Sequence, residues 1–130
     1  MTTMNRLENG RADFAYKAAE EGKKLPKPKE YKSHVKKIPM RIKTNGLGAT
    51  FAFIFSKSLK DQTYRKIYEQ VSDWFRKEEN PFKFEFLDFT KKLCEMDSQQ
   101  YRAITNETLA LFSWLRRFAE GLIEGDENES

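Results

Sequence analysis

This 130-residue sequence predicts an all-α protein, a single-domain compact bundle of about six helices. Apolar side chains recur at three- and four-residue spacing through its longer segments, which is the period of an amphipathic helix. The length suits one domain with a substantial core, and 14% of the residues are aromatic, a content that disordered chains lack. The segments between the periodic stretches are short. We therefore expect one helical domain over 1–130, with a disordered acidic tail at 124–130.

The first helix is predicted over 5–21, and Gly22 follows it as a stop signal. Three apolar residues define its inward face: Leu7, Phe14 and Ala18. An extended connector over 23–29 then leads to a second, basic helix. Pro26 and Pro28 favour this extended backbone, and we expect no other connector of this kind in the chain.

The second helix has two chemically different sides. Four apolar residues lie together on a helical wheel: Tyr31, Val35, Ile38 and Ile42. Four lysines fall within a narrow arc on the other side: Lys29, Lys32, Lys36 and Lys43. Pro39 removes one backbone hydrogen bond and must kink or restart this helix. Asn45 and Gly46 then form a sharp corner, because both residues tolerate a left-handed backbone.

The next two helices differ in composition. Residues 47–56 are apolar nearly all round, which predicts a short, central, buried helix. Residues 62–77 show the clearest amphipathic pattern in the chain. Asp61 can cap the start of this helix, and Asn80 with Pro81 stops it.

The last part of the sequence predicts two more helices. One covers 85–96 and places its apolar residues together. The alternation of phenylalanines at its start would also suit a strand, but a lone strand has no partner here. The other covers 98–123, with Ser98 as a plausible cap and Gly125 at the end of the pattern.

Basic residues are concentrated in one segment. Nine lie between 23 and 43 against a single acid, Glu30, so this segment supplies more than the whole formal net charge of +4. Acidic residues normally interleave on helical faces to give stabilising pairs. Their near absence favours a polyanion-binding face over an ordinary solvated surface, and nucleic acid is the commonest such partner. The candidate phosphate contacts are Lys29, Lys32, Lys36, Lys37, Arg41 and Lys43, and, outside the segment, Lys57, Arg116 and Arg117.

Catalysis is not indicated. His34 and Cys94 are the only histidine and cysteine, whereas a nitrogen–sulfur metal site needs three or four ligands. Cys94 fits a small hydrophobe beside buried positions, and His34 fits an exposed polar residue or a minor phosphate contact. The glycines match no nucleotide-binding loop. We therefore expect no cofactor, no metal, no small-molecule substrate and no enzymatic activity.

The same residue counts bear on where the protein resides. A single cysteine excludes an internal disulfide and indicates a reducing compartment. No segment approaches the length of a membrane span, and the N-terminus lacks the apolar core of a signal peptide. We expect a soluble, cytoplasmic protein that contacts no membrane.

Three blocks of this sequence match one known family. The first is Arg11–Ala12 with Phe14–Ala15. The second runs from Tyr31 to Pro39 and continues with Asn45–Gly46–Leu47–Gly48 and Ala52–Phe53. The third is Tyr101, Arg102, Thr105, Glu107 and Thr108, followed by Trp114 to Ala119. In this order and spacing, the chain resembles the small helical subunit of the type III-B CRISPR–Cas (Cmr) effector complex over about 11–119.

The resemblance implies an all-α, non-catalytic structural subunit in antiviral defence. Members of this family associate with other Cmr subunits and stack on copies of themselves as a minor filament. They line the path of the CRISPR RNA and target RNA, which other subunits cleave. The RNA-binding role carries over to Lys32, Lys36, Lys37, Arg41 and Lys43, and more loosely to Arg116 and Arg117. Asn45, Gly46 and Gly48 carry over as a structural corner, in which Gly48 lets two helices approach closely.

Other functions remain open from the residues alone. A protein-only adaptor would use the basic face to bind an acidic partner, and a small nuclease would cleave RNA with a metal ion. Contacts to RNA would be to the backbone, because no base-reading motif is present.

We expect the main role of four aromatic residues to be packing in the core: Tyr64, Tyr68, Trp74 and Trp114. Trp114 lies off the centre of its apolar stripe, so a subunit contact is its second interpretation.

Overall fold

The structure, a computed structural model, describes residues 3–77 and 89–125. These residues form six α-helices and no strand, which confirms the predicted all-α fold. The helices are α1 (Thr3–Lys23), α2 (Pro28–Asn45), α3 (Leu47–Ser58), α4 (Gln62–Trp74), α5 (Phe89–Glu95) and α6 (Ser98–Leu122). Buried side chains from all six helices form one core. The predicted stop at Asn80–Pro81, the phenylalanine alternation before α5 and the tail from 126 onwards lie outside the described residues.

Two helices begin at an aspartate cap. The Asp61 carboxylate accepts hydrogen bonds from the first free N–H groups of α4, at 2.8 and 3.2 Å, as the sequence predicted. At α6 the cap is Asp97, whose carboxylate accepts from the N–H of Gln100 at 2.8 Å. Ser98, the predicted cap, is instead the first helical residue. An ionised carboxylate is the stronger partner at the positive end of a helix dipole.

α2 passes through its internal proline without ending. It runs as one helix from Pro28 to Asn45, so the restart considered at Pro39 does not occur. Ile38 and Ile42 hold this part of the helix against the core, which offsets the one backbone bond that Pro39 removes. Pro28 begins the helix rather than lying in the connector. At this first position its missing N–H would have no intrahelical partner in any case.

α3 is not buried on all sides, contrary to the prediction from its apolar sequence. Its inner face holds Leu47, Phe51 and Ile54, none of which has exposed surface. Its outer side and the residue after it expose a row of apolar side chains: Ala49, Ala52, Phe55 and Leu59. The helices that pack most against α3 are α2, α4 and α5, and in the described part of the chain they leave this outer side exposed.

A buried ion pair joins the first helix to the last. Arg11 on α1 donates two hydrogen bonds to the carboxylate of Glu107 on α6, at 2.9 and 2.8 Å. The indole Nε1 of Trp74 on α4 donates a third, at 2.8 Å. The Glu107 side chain is only 5% exposed, so these three bonds offset the cost of removing its charge from water. The cluster fixes α1, α4 and α6 relative to one another.

Gly22 lies inside α1 at the point where Tyr31 of α2 packs closest. A Cβ at this position would lie 2.2 Å from the nearest Tyr31 ring carbon. The ring is fully buried, and its hydroxyl donates to Oε1 of Gln70 at 2.6 Å. Burial raises the pKa of the Tyr31 hydroxyl, which keeps it protonated as the donor. Gly22 therefore permits a close approach of α1 and α2 and is not the helix stop that the sequence predicted.

Gly22→Ala is expected to lower the free energy of unfolding by about 1–3 kcal/mol, because it overpacks the core around Tyr31. The gain in helix propensity, about 1 kcal/mol, opposes this loss. Gly121→Ala is the matched control, since a Cβ there would meet nothing within 4 Å and only the propensity gain remains. Urea unfolding of both variants measures the difference. A Gly22→Ala protein as stable as Gly121→Ala would contradict the tight packing.

Candidate nucleic-acid interface

Four of the predicted cations are exposed on α2, with Lys29 at its start and three more in its second half. Lys37, Arg41 and Lys43 are all exposed there. Among the residues that the structure describes, none of the three has a carboxylate at ion-pair distance. An exposed cation with no acidic neighbour keeps its charge available to a polyanion. We call these three residues the basic face of α2. It is a wide arc of the helix surface, because Arg41 and Lys43 are two residues apart and point in different directions.

Lys32 does not belong to the basic face, although the sequence placed it among the same lysines. Its side chain is buried, at 7% exposure, and its ammonium donates to the backbone carbonyls of Ile123, at 3.0 Å, and Gly125. Ile123 caps the C-terminal end of α6 and Gly125 follows it, so the ammonium lies near the end of the helix dipole that favours a cation. The structure thus corrects the expectation that Lys32 lies on the water-facing side of α2, which the proposed RNA contact requires. Lys32 precedes the buried Val35 by three residues and therefore lies at the edge of the apolar stripe.

Two further candidates share one acid. Nζ of Lys36 lies 4.0 Å from a carboxylate oxygen of Glu120, and Nε of Arg116 lies 3.5 Å from the same oxygen. All three side chains are partly exposed, so each pair contributes little to stability. The structure brings Lys36 and Arg116 together from α2 and α6, but beside an acid that offsets part of their charge.

An open groove of about 380 Å³ runs along the outer side of α2. Its lining residues are Lys36, Lys37, Met40, Arg41, Thr44 and Asn45. Met40 is 65% exposed between cations of this groove. A flexible apolar side chain in this position can pack against a ribose while its neighbours contact phosphate.

Arg41 and Lys57 meet at one aromatic ring. The guanidinium carbon of Arg41 lies 4.3 Å from the centroid of the Phe53 ring, and Nζ of Lys57 lies 5.7 Å from it. Both distances are within the range of a cation–π interaction. Phe53 also meets the ring of Tyr64 edge-on, with centroids 5.7 Å apart. Two predicted cations from different helices are thereby brought to one place.

Tyr64 connects this cluster to His34. The two rings stack with centroids 3.9 Å apart and planes at 19°, so His34 is half-buried and not the freely exposed residue expected. Burial raises the pKa of Tyr64, Arg41 opposes this shift, and Asp61 and Glu30 add to it. The Tyr64 hydroxyl therefore stays neutral and places no negative charge beside Arg41.

Arg117 lies on an aromatic cluster formed by α1 and α6. Its guanidinium carbon is 5.8 Å from the ring centroid of Trp114, which stacks on Phe118 at 5.8 Å. Phe118 meets Tyr16 edge-on at 5.2 Å. Trp114 is half-buried, as is Tyr64, whereas Tyr68 and Trp74 are core residues, as predicted for both.

Gly46 forms the corner between α2 and α3. Its φ of 91° is the left-handed conformation that favours glycine, and its N–H donates to the carbonyl of Ile42 at 2.8 Å. Asn45 is the last residue of α2, so Gly46 alone takes the left-handed backbone. The N–H of Gly48 donates to the hydroxyl of Tyr101 on α6 at 2.7 Å. This bond ties the corner to α6, and a Cβ on Gly48 would make only ordinary contact there.

Cys94 is exposed on α5, although its helical pattern suggested a core position. Within the described part of the chain, no three His, Cys, Asp or Glu residues are grouped to hold a metal ion. Across residues 3–77 and 89–125, no helix combines the length and apolarity needed to cross a membrane.

Sequence reasoning missed Phe53 as a part of this site. The apolar composition of α3 assigned it to a buried helix, and its partners Arg41 and Tyr64 come from α2 and α4. One signal was available in the sequence. Phe53 and Lys57 are four residues apart, so they share a helical face and can interact.

Two comparisons with known proteins bear on this chain. A family model described as CRISPR-associated protein (Cas_Cmr5) matches residues 7–122. The fold is similar to the X-ray crystal structure of a CRISPR-associated Cmr5 family protein from Thermus thermophilus, with a TM-score of 0.78 and 24% sequence identity. This similarity covers 91% of the chain described above and 97% of the other chain. At this identity, the structural match shows a shared fold over nearly the whole molecule.

Proposed function

The chain belongs to the Cas_Cmr5 family of CRISPR-associated proteins, and from this premise we propose that it is a non-catalytic structural subunit whose basic face lies along RNA. Family membership makes it a Cmr subunit that associates with other subunits of that complex. In this role the protein stacks on copies of itself as a minor filament in a cytoplasmic type III-B complex. There it lines the guide and target RNA in antiviral defence, and other subunits carry out cleavage.

The observation that carries the RNA-lining role is a set of exposed cations that have no acidic partner among residues 3–77 and 89–125. It consists of the basic face of α2, together with Lys57 of α3. Four cations that neutralise phosphates of one strand correspond to a slope of about −3 in log K against log salt concentration. A single copy therefore binds RNA weakly at physiological salt. Several copies in one stack would supply the missing affinity through avidity.

The chemistry of the basic face favours the sugar-phosphate backbone over the bases. Lys37 and Lys43 present single charged groups on flexible stems, which suit phosphate and carry no sequence information. A non-catalytic role is supported by Glu107, a carboxylate suited to proton transfer that is already used in the core, where it accepts three hydrogen bonds.

Assembly with protein neighbours is supported by the outer side of α3. Phe55 is 44% exposed and Leu59 is 72% exposed on that side. Adjacent exposed apolar side chains of this size are typical of a surface that another protein covers. Such a surface is compatible with a subunit that contacts RNA and protein at the same time.

The RNA-lining role predicts a specific loss in a charge-reversal variant, Lys37→Glu with Arg41→Glu. Binding of the full chain to single-stranded RNA should weaken by at least about tenfold, and the salt slope should fall from about −3 towards about −1. Lys36 is avoided because its reversal would place two acids beside each other at Glu120. Fluorescence anisotropy over a salt series measures both quantities.

The matched control reverses two other exposed lysines, Lys91→Glu with Lys92→Glu on α5, which changes the net charge equally. This control should bind RNA more strongly than the α2 variant. If the two variants lose RNA binding equally, net charge alone explains the loss, and this would contradict the proposed role of the basic face. An α2 variant that binds RNA normally but fails to join RNA-free Cmr complexes would favour the adaptor function. Metal-stimulated cleavage that follows the purified chain would overturn the non-catalytic role.

A further inference from the structure

We infer that Arg41 and Lys57, held together on the Phe53 ring, form one phosphate-binding pair that extends the basic face from α2 on to α3. The ligand is the phosphodiester backbone of RNA, so the inference rests on the proposed function. It adds a role for an aromatic residue that makes no polar contact itself. Phe53 acts as a positioning residue, because it holds the two cations where the backbone passes.

The geometry gives Phe53 this role. Its ring has Arg41 at 4.3 Å and Lys57 at 5.7 Å, so both cationic groups lie within about 6 Å of one point. The ring is itself held in place, because Tyr64 packs against it edge-on and His34 stacks on Tyr64. Three helices thus fix the platform on which the two side chains rest.

The charges explain why an anion should bind here. Arg41 and Lys57 bring two like charges to one ring, and no carboxylate of the described residues lies at ion-pair distance from either. The nearby acid Asp61 caps α4 with its carboxylate. A phosphate that contacts both cations supplies the missing negative charge and gains two charge-assisted contacts.

The chemistry of the two cations fits a phosphodiester. Guanidinium presents a planar fork that can bind two phosphate oxygens, and the ammonium adds a point charge beside it. The ring limits the rotamer freedom of both long side chains before RNA binds. Less conformational entropy is therefore lost on binding than for a free lysine such as Lys60, which is also exposed.

The main test is Phe53→Leu, which removes the ring but keeps every charge. Binding of the full chain to a single-stranded oligouridylate at about 50 mM salt should weaken about fivefold. The same substitution should have no effect once Arg41→Gln and Lys57→Gln are present, because the ring acts only through these cations. Phe55→Leu on the same helix is the matched control and should bind as the unmodified chain does. Fluorescence anisotropy gives the affinities, and circular dichroism melting confirms that each variant is folded.

A second pair of variants keeps the test independent of any packing defect at Phe53. Lys57→Gln should lower the affinity and reduce the salt slope by about 1, whereas Lys60→Gln should change the slope less. Equal effects of Lys57→Gln and Lys60→Gln would overturn the inference. So would a Phe53→Leu protein that binds RNA as strongly as the unmodified chain. A Phe53→Leu change that weakens RNA binding by the same factor when Arg41→Gln and Lys57→Gln are already present would also overturn it. If Lys37→Glu with Arg41→Glu abolishes RNA binding while Phe53→Leu leaves it unchanged, the phosphate-binding pair on Phe53 is wrong and the proposed function stands. If both changes are silent, the proposed function itself fails.

Discussion

Replacing Glu107 by alanine is expected to lower the free energy of unfolding by about 3–5 kcal/mol, the largest effect of any substitution considered for this protein. The change leaves the Arg11 guanidinium, 14% exposed, without the carboxylate that accepts its two hydrogen bonds. It also leaves the buried Nε1 of Trp74 without its acceptor. Small domains are typically stable by about 5–15 kcal/mol, so this loss is a large share of the total. Chemical denaturation of the purified chain measures it.

Two further variants separate the buried pair from ordinary charge loss. Glu120→Ala removes an acid from the same helix that is 41% exposed and pairs with Lys36 and Arg116. Exposed pairs are worth about 0–1 kcal/mol, so this control should be close to the unmodified chain in stability. Adding Arg11→Met to Glu107→Ala should recover part of the loss, because no unpaired buried cation remains. If Glu107→Ala costs no more than Glu120→Ala, the cluster does not hold the three helices together.

Lys32→Met is expected to destabilise the fold by about 2 kcal/mol while leaving RNA binding unchanged. Methionine keeps the apolar stem but loses the hydrogen bonds from the ammonium to the carbonyls of Ile123 and Gly125. Hydrogen bonds that involve a charged group contribute about 1.5–3 kcal/mol, and the dipole of α6 adds to their strength. Thermal unfolding and the salt slope of RNA binding are measured on the same protein.

The matched variant is Lys37→Met, which removes an exposed lysine from the same helix. The opposite pattern is expected for it, with little change in stability and a salt slope reduced by about 1. A Lys32→Met protein with normal stability and a reduced slope would reverse the assignment of these two lysines. The pair of variants thus tests which lysine serves the fold and which serves the ligand.

Helix positions followed from the sequence because helical periodicity is a local property. The starts of α3 and α4 were predicted at Leu47 and Gln62, where the structure places them, and the cap of α6 lies one residue before the predicted Ser98, at Asp97. The ends were less well predicted. α4 stops at Trp74 rather than near 77, since the end of a helix depends on contacts beyond its own pattern.

The candidate site was predicted only in part. Lys37 and Arg41 are exposed on α2, as expected for cations outside its apolar stripe. Lys32 shares much of that sequence context but turns to the end of α6, a partner that no pattern within α2 reveals. Phe53 was hidden in the same way, since a helix that is apolar all round gives no indication of which side stays uncovered.

The sequence by itself determined the helical class, the segment that carries the excess positive charge and, through its motif blocks, the family. The first two properties depend on residue type and on spacing within a few turns of one helix, and the family depends on the order and spacing of short blocks along the chain. Only the tertiary structure decided which cations remain available and which residues hold them. Arg11 finds Glu107, Lys32 finds Ile123 and Arg41 finds Phe53 across different helices. Such pairs form because packing brings distant parts of the chain together, and local periodicity does not encode which distant side chain will be the neighbour.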